Sequence, residues 1–204
     1  MKRNRLVAGM AILAMAAGTR AAVIQSGTLN LSIPATSDGL FVNVQAATVY
    51  PGPGFPTFPG PGSNYDFNPY YSSGWQFFGP GSSGMSPSVA AAARGYVAGT
   101  TSGPATRLAL GAVIGPASVL NTSSVVAGSN FSGQTGYLGF RFRTEPDLAI
   151  HYGYALVTLP TTQTAGTLVS YAYESTANTA ITIVPEPASL ALLGAGVLVL
   201  RRRR

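Results

Sequence analysis

From Gly136 to Leu159 the chain reads GYLGFRFRTEPDLAIHYGYALVTL, and much of it alternates between apolar and polar positions. Successive side chains of a strand point to opposite faces, so Leu138, Phe140 and Phe142 share one side while Arg141 and Arg143 share the other. Thr144-Glu145-Pro146-Asp147 has turn chemistry, and Leu148 to Leu159 is expected to return as the partner strand. The same rhythm recurs in VIQSGTLNLSI (23–33), in GLFVNVQAATVY after the turn pair Asp38-Gly39, in GTLVSYAYES (166–175) and in NTAITIV (178–184). Strands this frequent, with no convincing amphipathic helix between them, predict an all-β body: an antiparallel β-sandwich or jelly roll. VAAAARGYVAG (89–99) is the one ambiguous stretch, because its alanines favour helix but it has no polar face.

The alternation breaks between residues 51 and 87. PGPGFPTFPGPG (51–62) denies a ladder its N–H groups at each proline and predicts a loop or polyproline-like excursion. NYDFNPYYSSGWQFFGPGSSG (64–84) is dense in aromatics and holds the single Trp of the chain, Trp75, beside Phe77 and Phe78. A long inter-strand loop whose rings cap one end of the sheets is the plainer expectation. The sharper one makes Trp75, Phe77 and Phe78 a platform for sugar rings, whose C–H faces stack on aromatic faces.

Both ends depart from the body in another way. Residues 1–21 place Lys2, Arg3 and Arg5 before an apolar run from Leu6 to Ala17, then small residues at Thr19 and Ala21. That order predicts a signal-peptide helix handled by the secretion machinery and removed by signal peptidase, leaving an extracytoplasmic body over 22–183. At the other end, Ala188 to Leu200 is apolar on every face and is expected to form a hydrophobic helix. At about 1.5 Å per residue it reaches roughly 20 Å, short of the ~30 Å hydrocarbon layer. Its flanks argue for membrane nonetheless. Pro187 suits a first helical turn, Glu186 suits the positive end of the dipole, and Arg201, Arg202, Arg203 and Arg204 form a membrane stop that holds this end in the cytoplasm.

Composition narrows the function classes. The formal charge is +6 with only 9% of residues charged, and much of the basic excess lies at the two tips. In the body Arg94, Arg107, Arg141 and Arg143 are outnumbered by Asp38, Asp66, Glu145, Asp147 and Glu174, so no basic face exists for nucleic acid. The cysteine count is 0, so an exported fold must be held by packing and backbone hydrogen bonds alone.

The last segment, 184–204, also resembles a known sorting signal. Pro185-Glu186-Pro187, a short apolar run and a terminal arginine cluster, in a chain that opens with a signal peptide, is similar to the PEP-CTERM proteins of Gram-negative bacteria. The resemblance implies that a membrane-embedded exosortase recognises Pro185, Glu186 and Pro187, while Leu190 to Leu200 and the arginines retain the precursor at the inner membrane. It implies a cell-surface or extracellular destination. Bodies with a Gly-Phe-Arg-Phe strand, a His-Tyr-Gly strand and a Tyr-Ala-Tyr-Glu strand are common among such proteins, which supports the fold more than an activity.

No catalytic, cofactor or metal constellation is recognisable. His151 is the only histidine, and Asp147 with His151 would lack further ligands. Its plainer role is a strand histidine bonded to a neighbour. Glu145 and Glu174 are the pair that could flank a glycosidic bond, although one sits in a turn and the other closes a strand. GSSG (81–84) is one residue short of a nucleophile elbow. The expectation is an exported, non-enzymatic surface or matrix protein associated with exopolysaccharide. A secreted carbohydrate-binding or carbohydrate-active protein is the alternative.

Overall fold

The hairpin expected around Thr144 is the centre of the molecule. In the computed structural model, which describes residues 22–51, 65–78, 95–144 and 148–185, the described residues are mostly β, arranged in antiparallel sheets. Its strands are β1 (Val23–Gln25), β2 (Leu31–Ile33), β3 (Leu40–Asn43), β4 (Thr48–Pro51), β5 (Asn68–Tyr71), β6 (Trp75–Phe78) and β7 (Gly95–Val97). There follow β8 (Arg107–Leu108), β9 (Val113–Ile114), β10 (Leu120–Asn121) and β11 (Val125–Val126). Last come β12 (Gln134–Arg143), β13 (Ile150–Leu159), β14 (Gly166–Glu174) and β15 (Ile181–Thr182). Among the described residues the helical content is one 3₁₀ turn at Ser129–Phe131. The two helices expected at the ends fall on residues outside those described.

Strands β12 and β13 pair without interruption from Gln134 opposite Leu159 to Arg143 opposite Ile150. Strand β14 joins β13 with one irregularity beside Leu156 and Val157, and the large sheet runs β1-β14-β13-β12-β7-β10. β2 continues the outer edge of β14, and β8 continues that of β12. Because side chains alternate, this sheet has two apolar faces, and both are covered. Leu138, Phe140, Phe142, Val157, Leu168 and Tyr171 pack in one cluster with Leu40 and Val42 of β3, Phe67, and Trp75 and Phe77 of β6. The opposite face presents Tyr152, Tyr154 and Ala172 to Ile114 of β9, Ile181 of β15 and Ile183. Isolated two-stranded hairpins are marginal in water, so the small sheets β3-β4, β11-β6-β5 and β9-β15 owe their order to this burial.

Three local expectations change. The segment 23–33 is two short strands rather than one, because Gly27 and Asn30 adopt positive φ (66° and 51°) and break the regular ladder, leaving Leu29 and Asn30 both donating to the carbonyl of Val169. GLFVNVQAATVY is a hairpin: the Asn43 side chain accepts the N–H of Ala46 at 2.7 Å, and the chain reverses into β4. Side-chain capping of this kind competes with a continuing strand. Within the 51–87 excursion, residues 68–78 are the hairpin β5-β6, not a loop. Pro69 is tolerated because β5 is the edge of its sheet. Of the ambiguous stretch 89–99, the described part contains β7.

Candidate functional site

Among the described residues, His151, Glu174 and Asp66 are engaged in building the body. His151 is 4% exposed, and its Nδ1 lies 2.8 Å from the backbone oxygen of Glu174. A carbonyl can only accept, so Nδ1 carries the proton, a tautomer assigned from this contact. The ring is wedged against Phe142 and Tyr173, with centroids 5.8 and 6.4 Å away. The buried carboxylate of Glu174 accepts the N–H of Thr176 at 2.8 Å and so shapes the turn after β14. Asp66, also buried, accepts the N–H of Val44 at 2.7 Å and ties the β3-β4 turn to the segment before β5. Such bonds satisfy buried groups that would otherwise cost about 1–3 kcal/mol each. Glu145 and Asp147 lie outside the described residues, so neither the Glu145/Glu174 pair nor the Asp147/His151 pair has a geometry here. Among the described residues no three His, Asp or Glu side chains gather as a metal would require.

The aromatic residues singled out above are placed differently from a sugar platform. Trp75 is buried, its Nε1–H donates to the carbonyl of Pro160 at 3.1 Å, and its ring meets Tyr71 edge-on at 5.4 Å. Phe77 is fully buried, with Tyr96 and Phe131 at 5.8 and 5.7 Å. Phe78 alone is half-buried, packed beside Phe41 and Tyr65. Trp75 and Phe77 hold the β5-β6 hairpin onto the large sheet and offer no open face. Alternation along β6 was the signal available: Trp75 and Phe77 share a face, and that face is the core.

The other site is where the body ends. Strand β15 pairs with β9, and Ile183 beyond it is 1% exposed. Its N–H donates to the carbonyl of Ala112 at 2.9 Å, and its own carbonyl accepts the N–H of Gly111 at 2.8 Å. The Tyr154 hydroxyl reaches the carbonyl of Val184 at 3.4 Å. Val184 and Pro185 are exposed, so the chain passes from a locked, buried residue to a solvent-facing proline within two positions. Glu186, Pro187, the apolar run and Arg201 to Arg204 lie outside the described residues. Among the described residues no helix is long and apolar enough to cross a membrane.

A folded β body whose last strand is pinned, followed at once by an exposed proline, has the form of a passenger with a terminal signal. Residues 184–204 match the family model of the PEP-CTERM protein-sorting motif, so the chain carries that motif. No curated protein and no solved structure matches the chain. The motif is an exosortase recognition signal, so exosortase is a partner of this chain, and the tail implies export and sorting to the cell envelope or surface. Sequence reading therefore located the tail correctly. What it did not show is how little chain separates the tail from the packed body.

Proposed function

We propose that this chain is a non-enzymatic surface or matrix protein that associates with exopolysaccharide after exosortase processing. Signal peptidase removes residues 1–21, the β-sandwich body 22–183 is exported, and the 184–204 segment holds the precursor at the inner membrane. The observation that carries this reading is the direct joint between a sorting motif and a body in which Asp66, Glu174 and His151 serve its own turns and strands. Two further features support it. Ala22, the first residue after the expected signal, is tied to β14's end: its carbonyl accepts the N–H of Ser175 at 3.0 Å. The β13-β14 turn, Thr161-Thr162-Gln163-Thr164, is exposed and uncharged, a surface suited to hydroxyl-rich neutral polymers.

The test applies the mature protein to a panel of immobilised polysaccharides, with retention and release of reducing ends read in the same samples. Retention without release is the expected outcome. Release of reducing ends would instead establish the carbohydrate-active alternative, and absence of both would remove polysaccharide from the function.

A further inference from the structure

We infer that the outward face of the β9-β15 pair, with the turn beside it, rests on the lipid surface while the tail is still attached. Ile181 pairs with Ile114 and Thr182 with Val113. The hydrogen bonds of Ile183 to Ala112 and Gly111 carry that register to the end of the body. Alternation then sends Ile114, Ile181 and Ile183 inward, where each is at most 1% exposed, and sends Val113, Thr182 and Val184 outward. Val113 is 61% exposed and Val184 41% exposed. They are diagonal neighbours across the pair, a relation that spaces side chains by about 7–8 Å. Leu110, 55% exposed, stands in the adjoining turn, which the N–H of Ala112 closes onto Ala109 at 3.2 Å. Apolar side chains scattered singly over a surface carry no meaning, but these three gather at one exit. No charged residue interrupts the chain from Leu108 to Val119 or from Asn178 to Pro185.

The occupant follows from the chain that leaves this face. The apolar run opens at Ala188, four positions beyond Val184. Even fully extended, at about 3.3 Å per residue, that interval spans roughly 13 Å. A tail seated in the bilayer therefore brings Val184 and its neighbours to the headgroup layer. Three side chains are too few to hold a free body on lipid. A short tether makes their contact intramolecular, so a weak patch suffices until the tether is cut. Processing at the motif then releases the body in one step, because the remaining contact is too small to retain it.

The inference rests on the reading that the tail inserts into the membrane, and the experiment separates the two. The chain has no native cysteine, so V113C and V126C each carry one labelled site in the full-length protein. Val126 is 52% exposed on β11, in the layer covering the opposite face of the large sheet. Both variants are labelled with an environment-sensitive fluorophore. They are then reconstituted into phosphatidylethanolamine–phosphatidylglycerol vesicles containing a nitroxide-headgroup lipid. The expected result is flotation of both with the vesicles, and quenching several-fold stronger at position 113 than at 126. Flotation with equal quenching overturns the lipid-facing assignment and leaves membrane insertion standing. Failure to float overturns insertion and the assignment together. Concentration-dependent protection of the 113 label without vesicles would give this face to a second copy of the chain and also overturn the assignment.

Discussion

Gly153 shows how one position records the packing of two strands. A Cβ there would lie 2.7 Å from the carbonyl oxygen of Ala172 and 2.8 Å from Cζ of Phe140, inside contact distance of backbone and ring alike. Gly153→Ala is expected to lower stability by about 1–3 kcal/mol, the usual range for overpacking a filled site. A shift of the urea midpoint with unchanged slope is the measurement. The sequence displays a glycine inside a strand, which signals a bulge or a close approach. It does not display Phe140 folding over it, because that contact depends on register. Tyr171 gives the pH counterpart. Burial, and after it the neighbouring Tyr173 and Asp66, raises its phenol above the ordinary value. The neutral form is thus favoured in the fold, so this stabilisation is complete below the unfolded pKa of about 10 and is lost as pH rises through the folded value. Tyr171→Phe is expected to flatten the alkaline fall in stability. An alkaline limb identical to the parent's would show that other groups drive it.

At the scale of elements, what was legible followed the 2.0 period. Strands β12, β13 and β14 are long; β12 alternates cleanly, and its pairing with β13 could be read from Leu138, Phe140 and Phe142 and the turn chemistry after them. The elements that were missed are short or carry turn-forming residues for another reason. β9 has only two residues, Val113 and Ile114, too few for a periodic signal, yet Ile114 packs with Ile181 of β15 over Tyr152, Tyr154 and Ala172. In β5-β6 the proline and glycine content of the surrounding excursion outweighed four cross-strand pairs running from Asn68–Phe78 to Tyr71–Trp75. Tertiary burial of Trp75 and Phe77 decided that conflict, as it often does for β structure. Trp75→Ala should therefore cost about 3–5 kcal/mol, as truncation of a buried aromatic does. The single Trp also reports on itself. Its emission is expected to be blue-shifted in the native protein, to shift red on unfolding, and to stay unmoved by any polysaccharide the surface retains. A ligand-induced shift would mean that the ring is more accessible than its place in the core allows.

Along the whole sequence, charge and hydropathy are divided by location: a nearly neutral body, a basic and apolar segment over residues 1–21, and a tail of apolar residues ending in arginine. The tail was the most legible functional feature because its order of proline, glutamate, apolar run and arginines needs no tertiary information. The joint was not legible, since only the structure shows Ile183 locked between Ala112 and Gly111. The two parts of the tail should do separable jobs. Under the proposed function the four arginines have the role of a charge barrier that keeps an otherwise short apolar run from slipping across, each charge opposing transfer through hydrocarbon. Replacing Arg201 to Arg204 with Ser should let unprocessed protein escape the membrane. Pro185-Glu186-Pro187 lies before the apolar run, and Pro187 biases Glu186 toward extended backbone, the form an enzyme cleft can read. Changing these three to Ala should leave insertion intact and block processing, so full-length chain accumulates in the inner membrane. With Ile183 pinned one residue before the recognition segment's Val184, loosening the joint should help access instead. Membrane fractionation, with mass measurement of the C-terminal peptide from each variant, reads both outcomes. Normal processing of the triple-Ala variant would remove the recognition role from Pro185, Glu186 and Pro187 and leave them only as a spacer between body and bilayer.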